Sequence, residues 1–239
     1  MIIAGLAGYG SYQVQTADLI YTILNSYDKK TSFLDCKSLE EFSTSKLKAY
    51  INEIGKNGTD YLILKIDLSD FDPELFEYLQ EYLQFDIILY NNETDKFLDF
   101  DASAYMESIE KLMPFLSEKG IVIINEDFKE AWLPVDNFEY QIVTYGFNLK
   151  AGVTTSSISD TLFGSELMFY QQQTIRTING KIITPQEYRV YIEKKIMDIY
   201  IILGAVTFAI VSGVDPSRNL SIIMPYEAMN VNIASNNEC

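Results

Sequence analysis

The feature that most constrains the fold is a series of short apolar runs separated by longer amphipathic stretches. Four of these runs have strand length and are nearly continuous in Ile, Leu and Val: residues 1–6, "DYLILKIDL", "FDIILYNN" and "IVIINED". Strands of this kind are buried on both faces, as happens when helices cover a parallel sheet from each side. The chain is therefore predicted to form a doubly wound, three-layer α/β domain with a mostly parallel sheet.

The stretches between the runs have helical length and carry helix start or stop signals. Helices are predicted at residues 12–27, in "EEFSTSKLKAYINEIGKNG" up to Gly55 or Gly58, in "DPELFEYLQEYL", and in "SAYMESIEKLMPFLSEKG" up to Gly120. Asp72 as N-cap and Pro73 at the first helical position support the third of these. The segment "TSFLDC" adds one short strand.

After residue 137 the segments become short and β-rich, which predicts edge strands or an antiparallel extension of the sheet. The last large helix is predicted from Glu187 to Ser212. Its apolar run is shorter than the roughly 20 residues that a bilayer requires, so we expect a buried core helix and no membrane span. Residues 1–228 are predicted to form one domain, and residues 229–239 a flexible tail.

The charge and the missing histidine exclude several kinds of function. The formal net charge is -16 at pH 7, so nucleic acids and anionic membranes, which need a cationic surface, are not expected partners. Without histidine the chain has no Ser-His-Asp triad, no Cys-His pair and no imidazole metal ligand. Cys36 and Cys239 do not make a disulfide framework, and no cleavable leader opens the chain, so a cytoplasmic location is expected.

The opening "MIIAGLAGYGSYQVQTADLIYTIL" places glycines between a strand and a helix, where a phosphate-binding loop would carry G-x-x-x-x-G-K-[ST]. Gly8 and Gly10 keep the turn, but the lysine position falls near Tyr12 and the hydroxyl position near Gln13 or Thr16. Two interpretations stay open. The backbone alone could still attract an anion at the helix N-terminus, or the glycines serve only a plain strand-to-helix turn.

Read in order, these motifs resemble the central domain of the Mur ligase family, the ATP-dependent amino-acid ligases of peptidoglycan precursor synthesis. The glycine turn corresponds to the family's G-T-N-G-K-T-T loop, "GIVIINEDF" to its G-x-x-V-x-N-x-D-D, and "YQIVTYGFNLKAGVTTSSIS" to its v-x-T-F-G and following strand. The segment "YIEKKIMDIYIILGAVTFAIVSGVD" parallels a later family helix. The resemblance spans nearly the whole chain and implies an ATP-binding type of fold.

The resemblance also shows four departures from the family's catalytic residues. Besides the missing loop lysine, Lys65 aligns with a magnesium-binding glutamate, Lys96 with the histidine of D-H-L-D, and Ile109 with a carbamylated lysine. Lys111 lies two positions further, about 200° around a helix. We therefore expect no ligase catalysis and no cofactor, with weak ATP and magnesium binding as the alternative.

Several residues keep alternative interpretations. Lys65 could replace the loop lysine, or it forms a salt bridge to one of the nearby carboxylates, Asp35, Asp67 or Asp70. Asn125 corresponds to a family asparagine that helps to hold adenine, or it is a strand-end turn residue. Weak nucleotide binding would use Gly8, Gly10 and Asn125. A rewired enzyme would use Lys65 with Asp67, Asp95 and Asp99; Asp101 belongs to the same acidic run, which otherwise caps a helix.

The favoured hypothesis is a non-catalytic Mur-ligase-like protein that binds a protein partner or self-assembles, in cell-wall synthesis or a linked process. The chain is too short to hold the family's UDP-sugar and amino-acid domains beside the central one, so a lone central domain is expected to bind rather than catalyse. Its uncovered face would expose aromatic residues: Tyr9, Tyr12, Phe71, Phe97, Phe100 and Trp132. Alternatively, Tyr9 and Tyr12 fold inward and fill the emptied pocket. The acidic charge favours a basic counterpart.

Overall fold

The computed structural model describes residues 1–8, 12–39, 42–68, 83–91, 110–127, 140–160, 164–192, 198–214 and 220–222. In these ranges the helices are α1 (Tyr12–Ser26), α2 (Thr44–Lys56) and α3 (Ile199–Val211). The first six strands are β1 (Ile2–Gly8), β2 (Thr31–Asp35), β3 (Tyr61–Asp67), β4 (Phe85–Tyr90), β5 (Leu116–Asn125) and β6 (Gln141–Tyr145). The other strands are β7 (Val153–Asp160), β8 (Ser165–Gln171), β9 (Ile175–Arg176), β10 (Ile182–Ile183), β11 (Gln186–Ile192) and β12 (Leu220–Ile222).

One large sheet organises the molecule, with the strand order β12-β11-β8-β7-β6-β5-β4-β1-β3-β2. The strands from β6 to β2 in this order pair in parallel. Beyond β6, strand β8 pairs antiparallel with both β7 and β11. The predicted mostly parallel sheet with a β-rich extension is confirmed.

Side chains from the two faces of the sheet form two separate cores. On β3, Ile63 belongs to the core that contains α1 and α3, whereas Leu62 and Leu64 belong to the core against which α2 packs. This alternation follows from the two-residue period of a strand, and apolar residues on both faces require cover on both sides. The predicted three-layer arrangement is confirmed.

The predicted helix from Glu187 to Ser212 is wrong in its first part. Residues Gln186–Ile192 form β11, and α3 begins only at Ile199, after Asp198, which caps it by accepting a hydrogen bond from Tyr200 N at 2.8 Å. In β11 buried side chains alternate with exposed or half-buried ones along "EYRVYI", which is the strand period. The apolar run itself does form a helix, and its residues from Ile201 to Val211 are buried, as predicted.

The predicted helix up to Gly120 also ends too late. Helix is seen at residues 110–112, followed by a 3-10 turn at Met113–Phe115, and β5 begins at Leu116. Pro114 lies in that turn and has no N–H to continue the helix. Gly120 lies within β5 instead. A Cβ there would come within 2.4 Å of Leu116 Cγ, so the glycine permits close packing at an irregular β4–β5 register.

Some sequence predictions fall on residues outside the described ranges. These are Tyr9 and Gly10, Asp70 and Phe71, the "DPELFEYLQEYL" helix apart from Leu83, the acidic run with Asp95, Lys96, Phe97, Asp99, Phe100 and Asp101, Ile109, Trp132, and the tail at residues 229–239. Among the helices that the structure describes, none combines the length and the apolar character needed to span a bilayer.

Candidate functional site

Strands β1, β3, β4, β5 and β6 run in one direction and end together at one edge of the sheet, called the carboxyl edge below. In parallel α/β sheets, ligands bind at this edge. Gly8 ends β1 and Asn125 ends β5, with β4 between the two strands. The topology therefore brings these two predicted site residues to the same edge, whereas Gly10 lies outside the described residues.

The side chain of Gln13 binds the end of β1, where the glycine turn begins. This residue of the first turn of α1 is buried, with an exposed fraction of 1%. Its Nε2 donates hydrogen bonds to Gly8 O at 2.7 Å and to Ile66 O. A neutral amide thus ties the ends of β1 and β3 together, at a place where the resembling loop would carry a metal-binding hydroxyl.

A second buried polar group links α1 to β4 and β6. Asn91 Nδ2 donates to Thr16 Oγ1 at 2.7 Å, and Thr16 Oγ1 donates to Tyr12 O at 2.7 Å. The hydroxyl of Tyr145, a fully buried residue, donates to Tyr90 O at 3.0 Å. The hydroxyl groups of Thr16 and Tyr145 therefore both donate to acceptors inside the protein. This part of the edge is a structural contact between the helix and two strands.

Lys65 lies on β3 beside the edge strand β2. Its Nζ is 2.7 Å from Asp35 Oδ2, and the two side chains are 31% and 35% exposed. The predicted salt bridge is therefore confirmed, with Asp35 as the partner. Because the amine is held at β2, on the far side of β3 from β1, Lys65 does not take the place of the missing loop lysine in this structure.

Asn125 starts a tight turn at the end of β5. Its Oδ1 accepts a hydrogen bond from Asp127 N at 3.0 Å, the geometry of an Asx turn. Asp127 in turn accepts hydrogen bonds from Phe147 N and Asn148 N, both at 2.6 Å. Gly146 is required here, because its φ is +149° and a Cβ would come within 2.7 Å of the Asp127 carboxylate. These contacts support the turn interpretation of Asn125.

Helix α3 is fixed to the same edge by two tyrosine–carboxylate hydrogen bonds. Tyr12 OH donates to Asp198 Oδ2, and Tyr200 OH donates to Asp127 Oδ2 at 3.0 Å. Burial, followed by the charge of Asp127, raises the pKa of Tyr200, so the phenol stays protonated and remains a donor. The two contacts connect α1, α3 and the β5–β6 connection across the edge.

The prediction that Tyr12 adds exposed aromatic surface is wrong, and the inward alternative holds for this residue. Tyr12 is 9% exposed, because its hydroxyl finds a partner in Asp198 while its ring packs in the core between α1 and α3. Two residues that the sequence did not single out are exposed at the edge instead. Phe147 is 47% and Leu149 91% exposed, in the loop of residues 146–150 after β6.

The described side chains at the carboxyl edge do not fit magnesium-bound ATP. A site for the phosphates of a nucleotide supplies a cation and a side chain that binds the metal ion. Here Gln13 is neutral, Lys65 is paired with Asp35, and Asn125 Oδ1 is already used in its turn. In the described ranges no group of three or more Cys, Asp or Glu side chains is arranged to hold a metal ion.

Sequence reasoning missed the residues that hold the edge together, namely Asp127, Asp198 and Tyr200. A signal existed for Asp198, because it directly precedes a long apolar run and aspartate is a favoured N-cap. The overlong helix prediction concealed it. No local pattern marks the partner of Asp127, since the hydrogen bond from Tyr200 joins residues 73 positions apart.

Comparison with solved structures identifies the fold. A UDP-N-acetylmuramoyl-L-alanyl-D-glutamate–2,6-diaminopimelate ligase matches with a TM-score of 0.62 and 16% identity, over 89% of this chain and 43% of that protein. The UDP-N-acetylmuramoylalanyl-D-glutamyl-2,6-diaminopimelate–D-alanyl-D-alanyl ligase of Acinetobacter baumannii matches with a TM-score of 0.60 and 14% identity, over 92% and 46%. MurF ligase from Thermotoga maritima in complex with ADP matches with a TM-score of 0.58 and 11% identity, over 90% and 46%.

The chain thus spans less than half the length of these three structures. A comparison with curated protein sequences finds no match. The family model described as Mur ligase middle domain matches residues 15–186, which is well over half of the chain. On this match, together with the fold, the chain belongs to the Mur ligase middle-domain family.

Proposed function

We propose that this chain is a non-catalytic Mur-ligase-like protein that acts by binding a protein partner at its carboxyl edge. The observation that carries the proposal is the buried Gln13 amide, which is bonded to Gly8 O and Ile66 O where a nucleotide site needs charge and a metal ligand. Phosphoryl transfer depends almost wholly on positioning and on charge stabilisation by cations. A neutral, internally satisfied amide supplies neither, so the proposed protein works without ATP or magnesium.

Electrostatics at the edge also favour a cationic rather than an anionic ligand. Four described carboxylates, Asp35, Asp67, Glu126 and Asp127, lie at the strand ends, and a fifth, Asp198, caps α3 beside them; the described amines there and in the following loops are Lys37, Lys65 and Lys150. The net charge of the whole chain, -16, has the same sign. Complementary charge steers association and rejects like-charged partners. A second copy of this chain would bring the same acidic edge, so a partner with a basic surface fits better.

The apolar part of the proposed contact is the loop of residues 146–150. Leu149 and Phe147 expose apolar side chains, and the Phe147 ring packs edge-on against Tyr200 with the ring centroids 5.5 Å apart. Asp127 holds the backbone of the loop through two hydrogen bonds. A pre-ordered apolar loop loses little conformational entropy on binding, which favours its use as a docking element.

The setting of this binding is part of the same proposal, and the family supports it. The solved relatives are named as ligases of muramoyl-peptide intermediates, and their chains are about twice as long as this one. We place the protein in the cytoplasm, in cell-wall synthesis or a linked process.

Changing Leu149 to Asp is expected to abolish partner capture without affecting the fold. The substitution replaces the most exposed apolar side chain of the loop with a charged one, which removes the apolar contact. The new charge is acidic, so any loss of capture does not come from repulsion of a basic partner. The measurement is affinity capture from the native cell extract with the wild type, Leu149→Asp, Leu149→Lys and the control Ile182→Asp. Ile182 is 65% exposed on β10, outside the loop.

The expected result is one protein retained by the wild type and by Ile182→Asp, and lost from both Leu149 variants. Reconstitution with that purified protein, followed by light scattering, checks that the contact is direct. Capture that is equal in all four proteins would contradict the proposal. A species of the purified chain larger than 27.3 kDa that Leu149→Lys disperses would show that the occupant is a second copy instead.

A further inference from the structure

A pocket of about 220 Å³ lies away from the strand ends, between the first half of β6 and the β9–β10 hairpin. It exists because the sheet separates at this point. Strands β6 and β7 are paired only at Tyr145 and Val153, whereas β7 and β8 are paired along seven positions. The side of β6 at Gln141–Val143 therefore faces the hairpin across an open gap rather than a neighbouring strand.

The lining of the pocket combines an apolar floor with a polar rim. Val143 and Ile175 are buried core residues, and Ile182 is 65% exposed at the hairpin. Gln141, Gln173, Thr174 and Arg176 supply the polar groups. Gly152 completes the wall, where a Cβ would come within 3.1 Å of Thr144 O. Small-molecule sites have this pattern of an apolar lining with a few polar groups. The volume of the pocket is below the roughly 300–1,000 Å³ typical of sites for drug-sized ligands, so the pocket suits a smaller molecule.

Arg176 is the charged group of this lining, and it has no partner in the described part of the chain. Its Nη2 lies over the hairpin turn, 4.0 Å from the place where Gly180 would carry a Cβ. Two other cations illustrate the contrast: Arg189 is paired with Glu166, and Lys65 with Asp35. In a chain with 34 acidic and 18 basic residues, an arginine left without a carboxylate beside a pocket is available to an anionic ligand.

We infer that this pocket binds a carboxylate carried on a small branched aliphatic group. The guanidinium offers a planar pair of N–H donors that matches a carboxylate, and charge-assisted hydrogen bonds of this kind are about twice as strong as neutral ones. Ile182, the cross-strand neighbour of Arg176, would contact the aliphatic part, while the buried Val143 and Ile175 close the base of the pocket. The negative charge of the protein repels the ligand carboxylate, but charges more than about 8 Å away are screened at physiological ionic strength. The nearby guanidinium therefore has the larger effect on the affinity. The inference does not depend on the partner proposed above.

The test is a titration of the isotopically labelled protein with N-acetyl-L-valine, followed through the backbone amide resonances of Gln141 and Ile175. N-acetyl-L-valinamide, which lacks only the charge, and inorganic phosphate are the comparison ligands. The variants are Arg176→Gln and the matched control Arg189→Gln, whose side chain lies on β11 outside the pocket. Arg176 is exposed, so its replacement should leave the fold intact, as circular dichroism would check.

The expected result is saturable binding of N-acetyl-L-valine to the wild type and to Arg189→Gln. The wild type should bind the valinamide at least tenfold more weakly, and Arg176→Gln should bind N-acetyl-L-valine at least tenfold more weakly. A peptide ending in a free valine carboxylate distinguishes a chain end from a free acid. Tighter binding of the peptide supports the former, and tighter binding of N-acetyl-L-valine the latter. Equal binding of acid and amide, preference for phosphate, or unchanged binding to Arg176→Gln would overturn the inference.

Discussion

Replacing Phe208 with alanine is expected to lower the free energy of unfolding by about 3–5 kcal/mol. Phe208 lies in the middle of α3, is 1% exposed, and belongs to the core that α1 and α3 share with the sheet. The change removes buried apolar surface and leaves a cavity that the surrounding close-packed residues fill only in part. Urea unfolding followed by circular dichroism would measure the difference.

Two further variants keep this prediction decisive if the alanine variant fails to fold. Phe208→Leu keeps most of the volume and is expected to cost roughly 1–2 kcal/mol. Ile182→Ala, at a residue that is 65% exposed, is expected to change the stability by less than about 0.5 kcal/mol. If Phe208→Ala and Ile182→Ala had the same small effect, α3 would not be the buried core helix described here.

Replacing Gln13 with glutamate is expected to destabilise the protein at neutral pH by on the order of 3–5 kcal/mol. The amide donates to two main-chain carbonyl oxygens, and a carboxylate of the same shape would face both of them with negative charge and no donor. Gln15→Glu is the matched control, since the same substitution two residues further on the half-exposed side of α1 should change little.

The destabilisation by Gln13→Glu should depend on pH in a defined direction. Burial beside the carbonyls would raise the pKa of the new carboxyl above its unfolded value of about 4.3. The part of the penalty that comes from ionisation is then absent below that value, grows as the pH rises towards the folded pKa, and is constant above it; the loss of one of the two donors remains at every pH. Unfolding of Gln13→Glu and Gln15→Glu across this range would test it. A penalty that is independent of pH would contradict the buried amide contact.

Much of the parallel half of the fold could be predicted from sequence because its signals are local. The strand of residues 61–67 is a continuous apolar run, and α2 ends at Lys56 with Gly58 at a φ of +77°, as the glycine suggested. The boundary errors have a physical reason. β11 is a short alternating segment followed by charged residues and an apolar helix, and short apolar runs do not separate strand from helix by periodicity alone.

The candidate site was predictable only in outline. Gly8 and Asn125 could be placed at one edge because parallel strands bring their ends together. What those residues contact could not be read from the sequence, since Gln13 reaches Ile66 O across 53 positions and Tyr12 reaches Asp198 across 186. Such contacts depend on which strands are neighbours and on how α3 crosses α1, and both are decided by long-range packing.

Calorimetric titration with ATP and magnesium, combined with an assay of phosphate release, tests the central claim most directly. A preparation with one cooperative unfolding transition would be used, with Lys65→Ala as the comparison variant. We expect no saturable heat of binding and no phosphate release above the buffer background, because the described residues of the edge do not combine a free cation with the metal ligand that phosphoryl transfer requires. Saturable binding with turnover above background that Lys65→Ala abolishes would contradict it and would make the protein an enzyme.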